Sequence, residues 1–192
     1  IHVITGIAWI GASFFFNWLD SQITPPENPE TQVEGELWMV HSGGFNKLEK
    51  TRISQSKMPK VIHWFKWEAY STWFSGIFLL GIVYYTGSGV YLIDSQIADL
   101  SYGMAVSISL GTILVVWLVY DYLWVSKLGE KGWLPVIVSF VLLFGIIWWF
   151  HQWFGSRAAY IHVGAVMGTL MVGNVWRRII PSQTKLVEAV KA

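Results

Sequence analysis

Five stretches of this chain are apolar over the length that a helix needs to cross a bilayer: Ile1–Leu19, Trp67–Thr86, Tyr102–Val125, Trp133–Trp153 and Arg157–Trp176. About 30 Å of hydrocarbon takes roughly 20 helical residues. The pattern predicts an all-α, polytopic transmembrane helix bundle of five spans, one domain over residues 1–192. Composition agrees: 54% of residues are hydrophobic and 13% charged, where soluble domains average about 25% charged. Glycines and serines inside the third and fifth stretches (Gly103, Ser107, Ser109, Gly111; Gly164, Gly168, Gly173) suit helices whose backbones approach closely in lipid. The sequence opens at Ile1, already inside an apolar run, which is expected of a piece of a longer chain.

Several chemistries are excluded early. Formal charge is +1, with 13 Lys and Arg against 12 Asp and Glu, so there is no basic field to hold nucleic acid. There are no cysteines, which removes disulfides, thiolate zinc, iron–sulfur clusters and covalent c-type haem attachment within these residues. A metal or cofactor must use His, carboxylate, Met or Tyr. Neither Ser42-Gly43-Gly44 nor Thr86-Gly87-Ser88-Gly89 has the strand, helix and lysine context of a phosphate loop. No internal repeat suggests a transporter.

Five spans put the chain start, the 87–101 loop and the 154–156 turn on one side. The 20–66 loop, the 126–132 loop and the tail lie on the other. That second side holds Lys47, Lys50, Arg52, Lys57, Lys60, Lys66, Lys127, Lys131, Arg177, Arg178, Lys185 and Lys191, leaving Arg157 for the first. The positive-inside rule then makes loop 20–66 and the C-terminus cytoplasmic and the chain start external. Within the loop, TPPENPE forbids helix, and alternating runs flanking Ser42-Gly43-Gly44 predict a β-hairpin with Leu37, Met39 and His41 on one face and Trp38 and Val40 on the other. The segment 179–192 predicts a short amphipathic helix after Pro181, lying at the interface.

The same topology sorts the histidines. His2 and His162 begin the first and fifth spans, which run in the same direction, and two facing imidazoles at one depth would suit the axial positions of haem b. Small residues share their helix faces: Thr5, Gly6 and Ser13, with Trp9, beside His2; Ala158, Ala159, Ala165, Thr169 and Gly173 beside His162. The competing reading is that each imidazole simply bonds a backbone carbonyl or a neighbouring helix. His151, in WWFHQWF, reads as an interfacial belt residue. At the cytoplasmic end Asn17, Asp20, Glu68, Asp121, Asn174 and Arg177 gather among Trp18, Trp38, Trp64, Trp67, Tyr70, Tyr120 and Tyr122. Flat walls with polar edges suit a planar heteroaromatic ligand, held by Trp38, Trp67, Asn174 and Arg177. Candidate proton acceptors are Glu68, Asp121, His41 and His63, since a carboxylate against apolar helix ends needs a use or a partner. Interfacial Trp, Tyr and Arg are also ordinary membrane anchors.

The segments HVITGIAWIGASFFFNWLD, GELWMVHSGGF, HWFKWEAYSTWFSG, YLID, SLGTILVVWLVYD and GSRAAYIHVGAVMGTLMVGNVW, in that order and spacing, resemble the N-terminal membrane domain of the integral-membrane, cytochrome c-linked urate oxidases. His2, His41, Glu68, Asp121, His162 and Asn174 stand at family motif positions. The resemblance implies a bacterial inner-membrane enzyme, with a periplasmic chain start, that oxidises urate to 5-hydroxyisourate and passes electrons to a c-type cytochrome. In that family, further membrane helices with a His-Asn-Asn motif and a C-terminal cytochrome c domain follow the part seen here. Urate would enter from the cytoplasm, stack on Trp and Tyr rings, and bond to Arg177, Asn174 and Asn17. Its electrons would leave outward through a haem held by His2 and His162. The alternatives are a non-catalytic cytochrome b-like or structural subunit of a larger respiratory or photosynthetic complex, and a purine-binding protein or transporter without redox chemistry.

Overall fold

The computed structural model describes residues 1–28, 32–55 and 58–191; Pro29 and Glu30 of the proline-rich run, Lys57 of the basic tally and the terminal Ala192 lie outside them. Its elements are α1 (His2–Gln22), β1 (Val33–His41), β2 (Gly44–Thr51), α2 (Trp67–Leu80), α3 (Tyr102–Val125), α4 (Trp133–Trp153), α5 (Ser156–Asn174) and α6 (Ile180–Lys191). Among the described residues four continuous helices, His2–Gln22, Tyr102–Val125, Trp133–Trp153 and Ser156–Lys191, are long and apolar enough to cross a membrane. The second expected span is helical too. It forms α2 and runs on as a π-helical turn, Gly81–Tyr85.

Local signals set the boundaries. Ser101 caps α3, its hydroxyl accepting from the Met104 amide at 3.3 Å. Gly132 enters α4 with φ of 53°, a backbone shape that costs glycine little. Pro135 sits in the first turn of α4, where its missing N–H has no helical partner to lose.

The bundle is organised around α5, which packs against α2, α3 and α4. Its inner face is made of Ala158, Ala159, His162, Val166 and Val172, small at one end so that neighbouring helices come close. Leu80, Tyr84, Leu92, Ile113, Ile146, Phe150 and Phe154 complete the core. α1 lies against α2. Phe14 on α1, Phe78 on α2 and Phe144 and Trp148 on α4 point outward, exposed by 71, 69, 68 and 65%.

The expected hairpin is present. β1 and β2 pair antiparallel, with Leu37 opposite Leu48 and His41 opposite Gly44. Ser42 and Gly43, both at positive φ (52° and 77°), form the two-residue turn that matches strand twist. Leu37 and Met39 are half-buried while Trp38 and Val40 face out. A bridge from Thr24 to Glu36 and an ion pair from Lys50 to Asp20 at 2.7 Å tie the hairpin to the end of α1. Glu36 is buried and takes Lys47 at 2.8 Å. Partnership with Glu36 and then Glu49 holds the Lys47 amine above its usual range, and Asp20 does the same for Lys50.

The tail departs from expectation. Instead of a separate helix broken at Pro181, α6 continues α5 through a π-helical turn, Val175–Ile179, giving one 36-residue helix. Pro181 has no N–H for the carbonyl four residues back, and the π-turn immediately before it absorbs the irregularity. At the far end, the Gln55 side chain donates to the Lys191 carbonyl at 2.6 Å.

Candidate functional site

The polar end of the bundle is assembled by three helix termini: the start of α2, the end of α3 and the end of α5. Asp121 on α3 is its centre. Arg178 donates Nε and Nη2 to Asp121 Oδ1 at 2.9 and 2.6 Å, and Arg177 approaches Oδ2 through Nε at 3.3 Å. Consecutive residues on a helix ordinarily diverge by about 100°. Here they sit in the π-turn, and both reach the one carboxylate.

One turn before Asp121, Trp117 lies with its ring 5.9 Å from the Arg177 guanidinium, a cation–π distance. Its indole fills the space beside Gly173, where any Cβ would overlap it. Gly173 thus sets how closely α3 and α5 approach. The Asp121 side chain is 15% exposed and that of Arg177 57%, so the carboxylate is shielded while one guanidinium keeps outward donors.

The start of α2 supplies Trp67, Glu68 and Tyr70. Tyr70 packs on Trp67 and on Trp176 of the π-turn, with ring centroids 5.9 and 5.7 Å apart. Glu68 is half-buried in the first turn of α2, where the helix dipole favours an anion. Its Oε2 is buried without a hydrogen-bond partner. Asn174 is half-buried one turn before Arg178.

Not every expected member joins this cluster. Trp38 is 60% exposed on the hairpin beneath Lys47. His41 is exposed at the hairpin end, its Nδ1 3.1 Å from the Ser42 hydroxyl. His63 is exposed in the connection to α2. Two members escaped the sequence reading, which took Arg178 as a membrane anchor and passed over Trp117. The signal for Trp117 was there in part, since it precedes Asp121 by one helical turn.

At the opposite end, the two histidines expected to face each other do not meet. His2 reaches α2, its Nδ1 3.0 Å from the Thr72 carbonyl and 3.2 Å from the Ser75 hydroxyl. His162 reaches the far end of the same helix: Tyr84 and Tyr85 pack on its ring at 5.4 and 6.3 Å. Tyr85 stands nine positions beyond Gly76, the residue against which the His2 ring lies, a difference in depth of roughly 13 Å. α1 and α5 each pack on α2, and the two imidazoles meet it at different heights, an arrangement that the sequence pattern does not encode.

At His162 the nitrogen that an axial haem ligand would use, Nε2, faces the Tyr85 hydroxyl. The imidazole is fully buried among Tyr84, Tyr85, Phe150 and Phe154. Nδ1 donates to the Ala158 carbonyl at 2.7 Å. Nε2 lies 3.5 Å from the Tyr85 hydroxyl, which bonds Ser109 at 2.5 Å. His151 is exposed in the last turn of α4. Among the described residues no group of three or more His, Asp or Glu converges on a metal position.

No curated protein and no solved structure matches the chain. The family model for the urate oxidase N-terminal region matches residues 1–192. The aligned length leaves no described element outside it, and the chain therefore belongs to the urate oxidase N-terminal family.

Proposed function

We propose that this chain is the membrane-embedded, substrate-handling part of an enzyme that oxidises urate to 5-hydroxyisourate and passes the electrons to a c-type cytochrome. The observation that carries the reading is the unequal sharing of Asp121. Arg178 is locked onto it by two hydrogen bonds, whereas Arg177 makes one long contact and keeps exposed donors over the Trp117 ring. A planar monoanion suits that arrangement, since a guanidinium binds negative oxygen or nitrogen in its own plane. Asn174, within a turn of Arg177, offers an amide to the ligand edge.

Oxidation of urate to 5-hydroxyisourate consumes one water and releases two protons and two electrons. Glu68, a carboxylate with an unpartnered buried oxygen on the neighbouring helix end, is the proton acceptor we assign. Asp121, neutralised by two guanidiniums, acts as the holder of Arg177 and Arg178. The electrons go to a c-type haem outside this chain, and no step is routed through haem at His2 and His162. Loops 20–66 and 126–132 and the tail carry most of the basic residues, which supports a cytoplasmic position for the urate site.

The test is urate consumption by membranes containing the full-length protein, with ferricytochrome c reduction followed in parallel. Turnover that Arg177→Ala weakens chiefly through KM supports the reading. Saturable urate binding without cytochrome reduction would replace it with a binding or transport role. Release of the protein from membranes by alkaline carbonate would remove the membrane assignment.

A further inference from the structure

A second site lies away from the Asp121 cluster. A cavity of about 690 Å³ opens between α1, α2 and α5, within the range of small-molecule pockets, and His2, Trp9, Gly76, Tyr84, Gly164 and Gly168 are among its lining residues. Its walls are flat. Cβ atoms placed on Gly164 or Gly168 would meet nothing within 4 Å, so these glycines leave real space rather than close helix contact. No Lys, Arg, Asp or Glu lines it.

The one titratable imidazole on this wall is oriented. The Thr72 carbonyl only accepts, so His2 Nδ1, 3.0 Å away, carries the hydrogen. A ring that carries its hydrogen on Nδ1 alone presents Nε2 as an acceptor, and no hydrogen bond to Nε2 is formed among the described residues. The ring lies flush on α2, since a Cβ at Gly76 would stand 2.8 Å from His2 Cε1. Gly76 is the seat that fixes the imidazole.

We propose that this cavity binds a neutral, flat-ringed lipophile with a hydroxyl donor, an isoprenoid hydroquinone, whose O–H is donated to His2 Nε2. The inference rests on the membrane reading above and is independent of the urate assignment. Three observations select the ligand class. An uncharged lining disfavours phosphate headgroups and the two propionates of haem, which would be buried without counter-charge. The glycine-lined wall accepts a plane. A bare Nε2 asks for a donor, which a plain acyl chain lacks.

The test is isothermal titration of the purified full chain in lipid nanodiscs with decylhydroquinone, and with its bis-O-methyl ether as the probe that lacks the donor. Saturable binding near one per chain is expected, with the ether about tenfold weaker, the equivalent of one hydrogen bond at ~1.4 kcal/mol. His2→Phe should lower hydroquinone affinity to that of the ether. Gly164→Leu, which fills open space, should abolish binding of both without lowering the melting temperature. Equal binding of the two probes, or hydroquinone affinity unchanged in His2→Phe, would overturn the proposal in favour of an acyl-chain groove. A b-type spectrum on adding haemin, lost in His2→Phe, would overturn it in favour of a haem pocket. Loss of the membrane reading shows separately, as carbonate extraction, whatever the titration gives.

Discussion

Asp121 Oδ1 accepts both Nε and Nη2 of Arg178, 57 residues further along the chain, and this fork pins the end of α3 to the π-turn that follows α5. The carboxylate is shielded and its partners are half-exposed, so the pair lies between a surface contact and a buried one. Asp121→Asn keeps the shape and removes the charge. It should cost about 1–2 kcal/mol, discounted from the buried-pair figure for the exposure of both arginines. A thermal melt of the nanodisc-held protein measures this, and a double-mutant cycle with Arg178→Ala should return a coupling of about 1 kcal/mol.

Glu68→Gln separates chemistry from packing. Oε2 has no hydrogen bond to lose, so the variant should melt within a degree or two of the parent. Urate turnover should fall by about 10²–10⁴, the usual contribution of a positioned proton acceptor. A variant that retains turnover within a factor of about three would show that the proton goes elsewhere.

Gly173→Ala should loosen the α3–α5 contact. Its Cβ would overlap the Trp117 indole, so the ring must move off both the glycine and Arg177. Overpacking of this kind costs about 1–3 kcal/mol. Urate affinity should fall with it, and Gly164→Leu, placed in open space, is the control that should leave urate affinity unchanged.

His162→Ala should be among the most destabilising changes in the chain. The ring is fully buried among four aromatic side chains, and its removal leaves a cavity and strands the Tyr85–Ser109 pair, at about 2–4 kcal/mol. His162→Phe should recover most of the melting temperature. A visible haem band lost in His162→Phe at preserved fold would contradict the packing role assigned here.

The hairpin should respond to alkali and not to neutral pH. Glu36 and Glu49 raise Lys47 and Asp20 raises Lys50 above the ordinary 10.5. A group raised on folding contributes stability that is complete below its unfolded value and is lost as pH rises through the folded one. Hydrogen exchange across β1 and β2 should therefore be flat from pH 7 to about 9, once corrected for intrinsic rates, and accelerate above about 10.5.

Much of this architecture could be read in advance because hydrophobic length is a one-dimensional signal. α3 and α4 begin and end at the expected residues, Tyr102, Val125, Trp133 and Trp153, where Ser101, Ser126 and Gly132 interrupt the apolar runs. The hairpin was legible for the same reason, through alternation around Ser42 and Gly43. Helix order was not. α3 and α4 are apolar all round, so no face declares its neighbour, and nothing in the spacing of His2 and His162 reveals that they meet α2 at different heights. The two-arginine grip on Asp121 was hidden too, because a regular helix would have sent Arg177 and Arg178 in different directions.

The uninterrupted helix from Ser156 to Lys191 has a mechanical consequence. At about 1.5 Å per residue its 36 residues extend on the order of 50 Å, well beyond the roughly 30 Å of a bilayer interior. Its outer third is a shaft whose far tip is roped to Gln55 and whose collar carries the guanidiniums on Asp121. The part of the helix that exceeds a bilayer's thickness is thus anchored at both of its ends, by the ion pairs on Asp121 and by the bond from Gln55.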